Sequence, residues 1–166
     1  MYAPKYKKTV FTIYYLLIQT RSYNLGLYKS ESMAMITELE NIANKSDSYE
    51  FCNRVFSSNK EIQSVELVNK NGRLVESVSS RNTINLPSQK KEMFHMALRL
   101  KESMNKEYDE DFGKVNYSCE NRERVSIFSF GLGEDMLIVT LPNKANSHAI
   151  AKKIIPILGR EFANNA

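Results

Sequence analysis

Between Glu61 and Phe162 the chain runs strand, Asn-Gly turn, strand, methionine-rich helix, three strands and helix, and that order leaves few folds open. Ile62, Val65, Leu67 and Val68 mark the first strand; Leu74, Val75 and Val78 mark its return. Asn71-Gly72 between them is a strong hairpin signal, because both residues tolerate positive φ. The stretch 79–87 is polar, ends in Pro87 and reads as a loop before a helix from Ser88 to about Lys106. Strands follow over Val115–Asn121, Val125–Phe130 and Met136–Leu141. The last is a continuous apolar run, as a central strand buried on both faces requires. Asn146 or Ser147 caps a final helix, in which Ile150, Ala151, Ile154 and Leu158 face inward and Pro156 predicts a kink near Lys152. A small α+β sandwich built on one antiparallel sheet accommodates this order.

The middle helix is unusual. Met93, Met96, Ala97, Leu100 and Met104 form one apolar face, while Phe94, Leu98 and His95 spread apolar surface to a second. A surface helix ordinarily carries one stripe. One sheet covers one face, so the other needs a neighbouring element or a partner, and methionine suits an adaptable contact surface. A further helical pattern lies upstream, in Met35, Ile36, Leu39 and Ile42, then in Phe51, Cys52, Val55 and Phe56. Asp47 and Glu50 resemble a capping box between the two.

Charge argues against a nucleic-acid role. Residues 1–30 hold Lys5, Lys7, Lys8, Arg21 and Lys29 and no acid; removing those five from the chain's 23 basic residues leaves 18 against 19 acids. The body is therefore close to neutral, whereas a nucleic-acid domain normally carries a basic patch on its folded part. The apolar stretch Val10–Ile18 is too short to span a bilayer. The leader 1–30 packs as an extra element, forms a loose basic-aromatic arm, or precedes a true start at Met33 or Met35; residues 31–166 read as one domain. An apolar content of 42% suits a globular core rather than disorder.

Catalytic constellations are missing from the pattern. Cys52 and Cys119 stand in no metal-spaced pair and read as reduced thiols. His95 and His148, on different helices, read as packed or edge residues. Gly131-Leu132-Gly133 is a hairpin turn in context, since a phosphate loop needs a helix directly after it. Glu107, Asp109, Glu110 and Asp111 read as a solvated loop after the helix, and Arg122-Glu123-Arg124 as a solvated turn.

Two resemblances extend this reading. The strings Lys91-Glu92-Met93-Phe94-His95-Met96-Ala97-Leu98-Arg99-Leu100 and Glu107-Tyr108-Asp109-Glu110-Asp111-Phe112-Gly113-Lys114-Val115-Asn116-Tyr117 resemble an uncharacterised family of small archaeal proteins, found especially in ammonia oxidisers. Arg122-Glu123-Arg124-Val125, Ser129-Phe130 and Asp135-Met136-Leu137-Ile138-Val139 continue it over roughly residues 47–158. Lys114, in place of an expected proline, and the leader depart from it. This is a domain-of-unknown-function family, so the likeness carries no functional residues. The element order is also similar to the roadblock/dynein-light-chain fold. That resemblance implies a roadblock/profilin-like α+β sandwich: a five-stranded antiparallel sheet with the middle helix on one face and the outer helices on the other. It further implies dimerisation through the middle helix and the strand after it, and a scaffolding or regulatory role toward small GTPases and motors.

The resulting expectation is a cytoplasmic, non-enzymatic interaction module without cofactor or metal. Its partners are a second copy or a related chain and, by the resemblance, a small GTPase; nucleic acid and a transmembrane segment are not expected. The expected dimer interface comprises Met93, Phe94, Met96, Leu98, Met104, Val115 and Tyr117. The competing reading is a small-molecule sensor of PAS or profilin type, which needs a pocket between sheet and helices.

Overall fold

In a computed structural model the described residues are 45–143 and 145–164. The leader and the helical pattern from Met35 to Ile42 lie outside them. Helix α1 covers residues 45–57. It is already under way at residue 45, so Asp47 stands inside it and is not the cap its spacing suggested. Strands β1 (Ser64–Val68) and β2 (Leu74–Ser79) pair antiparallel around a five-residue loop. The Asn69 side chain organises that loop, its Oδ1 accepting from the amides of Asn71 and Arg73. Gly72 takes φ +76°, the left-handed conformation that glycine adopts without strain.

Helix α2 (Ser88–Lys106) has the predicted bounds, with Pro87 at its N-cap. The acidic segment departs from the loop expected of it: Asp109–Phe112 forms a single helical turn, α3, stopped by Gly113 at φ +81°. Acids in a first turn face the positive end of the peptide dipoles, so Asp109, Glu110 and Asp111 favour that turn rather than oppose it. Strand β3 is shorter than predicted, Ser118–Asn121; β4 (Val125–Leu132) and β5 (Asp135–Pro142) are longer and meet at a tight turn beginning with Gly133. Helix α4 (Ser147–Asn164) contains Pro156 and is capped by Asn146, whose Oδ1 accepts from the Ala149 amide at 3.2 Å.

The five strands form one antiparallel sheet in the order β2-β1-β5-β4-β3, which places the apolar run of β5 at the centre. The pairing registers then sort every strand residue to one of two faces, because side chains alternate along a strand. One face carries Val65, Leu67, Phe128, Phe130, Leu137, Val139 and Leu141. It packs against Phe51, Cys52 and Val55 of α1 and Ile150, Ile154 and Leu158 of α4. The other face lies under α2. There the apolar floor is narrow (Val68, Ile127, Met136 and Ile138, meeting Leu98 and Phe94), and small polar residues surround it. One cross-strand row under α2 reads Ser79, Ser64, Thr140, Ile127, Glu120, and the next reads Ser77, Glu66, Ile138, Ser129, Ser118.

Candidate functional site

The polar floor dictates how α2 sits. A buried carboxylate needs partners, and Glu66 in β1 finds two on the helix. His95 Nε2 lies 2.7 Å from its Oε2 and Lys91 Nζ lies 2.8 Å from its Oε1. An ionised carboxylate only accepts, so the histidine nitrogen donates. Burial pushes the Glu66 carboxyl up, but the hydrogen bonds and charges of His95 and Lys91 outweigh it and hold the group below its ordinary 4.5. His95 is wholly buried, and its Nδ1 has no partner among the described residues.

Further along the helix, Arg99 donates to the Glu134 carbonyl in the β4–β5 turn (2.8 Å) and pairs with Glu102. Lys101 reaches Glu120 of β3 at 3.1 Å. The polar residues Lys91, His95, Arg99 and Glu102 thus turn toward the sheet or its rim, and the helix is rotated so that its apolar stripe points away. Met93, Met96, Leu100 and Met104 are each between 59% and 64% exposed. Apart from Phe94 and Leu98, the apolar side chains of this helix thus meet water while several of its ionic ones turn inward.

The bare stripe continues beyond the helix. Tyr108 and Phe112 are exposed, their ring centroids 6.3 Å apart, and with Asn105 and Val115 they line a shallow hollow of about 260 Å³. Of the expected interface residues, Met93, Met96, Met104 and Val115 lie on this exposed band. Phe94 and Leu98 do not: they face the sheet and anchor the helix from below. Tyr117 is half-buried against Phe128 and Phe130, with its hydroxyl 3.1 Å from His148 Nδ1, so it belongs to the α1/α4 side. Leu100, Tyr108 and Phe112 join the band and were absent from the expected set. Phe112 stands beside the acids that made its surroundings look like a loop.

Beneath the N-terminal half of α2 lies a cavity of about 280 Å³. Ser64, Glu66, Ser77 and Thr140 form its floor, Lys91 and Phe94 line it from the helix, Ile84 and Leu86 come from the loop before α2, and Arg122 from the β3–β4 connection. The sequence reading singled out neither Glu66 nor Ile84 nor Leu86. A second hollow, about 400 Å³, lies toward the other end of α2 over Ser118, Ser129 and Gly131. Both voids follow from the same cause, since serine and glycine are too short to fill the space between sheet and helix. The thiols of Cys52 and Cys119 are unbridged, the first buried and pushed up to about 12 by that burial and the Glu76 charge. No helix among the described residues is long and apolar enough to cross a membrane.

The profile of DUF6659, described as a family of unknown function, matches residues 34–165. No curated protein matches the chain. Among solved structures, Myxococcus xanthus MglB is similar at 16% identity, with 74% of this chain and 92% of that one covered and a TM-score of 0.57. A roadblock/LC7 domain from Streptomyces avermitilis is similar at 11% identity, covering 69% and 93%, with a TM-score of 0.54. At these identities the likeness is one of fold: the described body is a roadblock/LC7-like α+β sandwich.

Proposed function

The chain belongs to the family of unknown function DUF6659, and from its fold and its bare helix face we propose that it is a non-enzymatic interaction module that pairs with a second copy of itself through α2. The inverted orientation of that helix carries the reading. Fully burying one such side chain is worth about 1.5–3 kcal/mol, so covering the three-fifths still open on four of them yields about 4–7 kcal/mol for each copy and about twice that for the pair. Tyr108, Phe112 and Val115 add to this, which reaches into the range of about 4–15 kcal/mol that association costs. A second copy supplies an identical apolar stripe, and a two-fold axis across α2 sets stripe against stripe. The paired module serves as a scaffold or regulator of a small GTPase in the cytoplasm of an archaeal cell; the roadblock fold and the sequence resemblance support this part.

Size-exclusion chromatography with light scattering tests the pairing. The full chain is expected to elute at twice its own mass at tens of micromolar, and Leu100→Glu to return it to one. A wild-type monomer at that concentration removes the reading. The GTPase arm is tested by affinity purification from the native cell: recovery of the chain with a small GTPase supports it, and recovery of the chain alone removes it.

A further inference from the structure

The cavity under α2 has its own chemistry, independent of whether the outer face pairs. Its residues carry two cations, Lys91 and Arg122, against one carboxylate. That carboxylate, Glu66, already has both oxygens engaged by Lys91 and His95. Lys91 spends one donor on it and Arg122 pairs with Glu120 through Nη2 alone, so both keep donors to offer an incoming anion. The Gln63 side-chain carbonyl oxygen, from another lining residue, is buried and has no hydrogen-bond donor among the described residues. Short polar side chains (Ser64, Ser77, Ser79, Thr83, Asn85 and Thr140) make up the floor and part of the rim, and the rest of the wall is apolar. Ile84 and Leu86 come from a loop that leaves them partly exposed, and Phe94, Ile127 and Ile138 close the inner side.

We propose that this cavity binds a small organic carboxylate, with an apolar ring as its body and one N–H or O–H donor. The anion meets Lys91 and Arg122, the ring lies against Ile84, Phe94 and Ile138, and the donor satisfies Gln63. The volume is just under the roughly 300 Å³ at which small-molecule sites begin, which limits the ligand to a single ring. Polar groups converging beside an apolar wall fix the orientation of a ligand in such a site.

Three one-ring probes separate the elements of the proposal: 4-hydroxybenzoate, its neutral amide 4-hydroxybenzamide, and benzoate, which lacks the donor. In an NMR titration of the full chain, 4-hydroxybenzoate is expected to bind with a Kd on the order of 0.1–1 mM, as fits roughly ten non-hydrogen atoms. The amide is expected to bind about tenfold more weakly, having lost the charge-assisted bonds, and benzoate several-fold more weakly. Arg122→Gln, at an exposed position that leaves the core untouched, should weaken 4-hydroxybenzoate about tenfold. Ser77→Leu, which fills the floor, should abolish binding while the circular dichroism spectrum stays unchanged. Absence of saturable shifts up to about 5 mM for all three probes, equal affinity for acid and amide, or wild-type affinity in Arg122→Gln overturns the proposal.

Discussion

The two faces of the sheet solve opposite problems. On the α1/α4 side, alternate residues of β1, β4 and β5 are large and apolar, and helices of ordinary amphipathic pattern close over them. On the α2 side the same strands present serines, a threonine and Glu66, and the helix turns its ionic residues inward to meet them. The first face is a core held by burial. The second is a polar joint whose geometry, more than its energy, decides what the helix shows to water. The packed core and the proposed contact face thus lie on opposite sides of one sheet.

The largest expected effect breaks the first face. Phe130 is fully buried, stacked at 6.3 Å from Phe128 and close to Tyr117. Phe130→Ala should cost about 3–5 kcal/mol in urea unfolding, the usual loss for a large aromatic removed from a packed interior. Phe94→Ala, the nearest equivalent on the α2 side, should cost less than half of that, because Phe94 is only half-buried and beside a cavity. Equal losses would erase the asymmetry.

Next comes the polar joint. Glu66→Gln leaves Lys91 and His95 without their anion and should cost about 1–3 kcal/mol at pH 7. The folded Glu66 carboxyl sits below its ordinary 4.5, so its contribution is whole above that pH and fades as the pH falls toward the folded value. The gap between wild type and variant should therefore close in acid. Urea midpoints followed from pH 7 down through the acid range measure it, and a gap that does not narrow at all below 4.5 would show that Glu66 contributes something other than its charge.

A smaller effect tests how the β1–β2 loop fixes the helix. A Cβ on Gly72 would stand 2.9 Å from Met96 Cγ and 3.3 Å from Met96 Cα, and would also have to adopt φ +76°. Gly72→Ala should cost about 1–2 kcal/mol from the backbone alone. It also pushes on α2 next to a stripe methionine, so a pairing defect larger than the stability loss explains would tie the loop to the register of the interface.

Much of the first face was legible in the sequence. Phe128 and Phe130 alternate, Met136–Leu141 is continuous, and each pattern has one structural reading. The second face was written there too, in Ser64-x-Glu66, Ser77-x-Ser79 and Ser118-x-Glu120. But alternate polar residues in a strand ordinarily point to water, and nothing local says that a helix lies over them. Whether a helix covers that face depends on strand order and on where α2 returns. The partnership of His95 with Glu66 depends on a register that joins residues 29 apart. The apolar stripe of α2 was equally plain in the sequence; its direction was not, because direction is set by the floor beneath it.

That direction yields the smallest expected effect and the sharpest test. If Met93, Leu100 and Met104 hold the fold together, replacing them should destabilise the chain as any core truncation does. Their environment argues otherwise: each keeps most of its surface in water, so Leu100→Ser or Met104→Ser removes little that folding buries. Unfolding measured where single chains prevail should shift by no more than about 0.5 kcal/mol, as at ordinary surface positions. The same substitutions, made at concentrations where copies meet, should weaken pairing by about tenfold or more each, the scale of an interface anchor. That pair of outcomes is what the proposed pairing through α2 requires of an apolar side chain held outward by an ionic joint beneath it. A loss of monomer stability as large as that of Phe94→Ala would instead make the stripe part of this chain's own core.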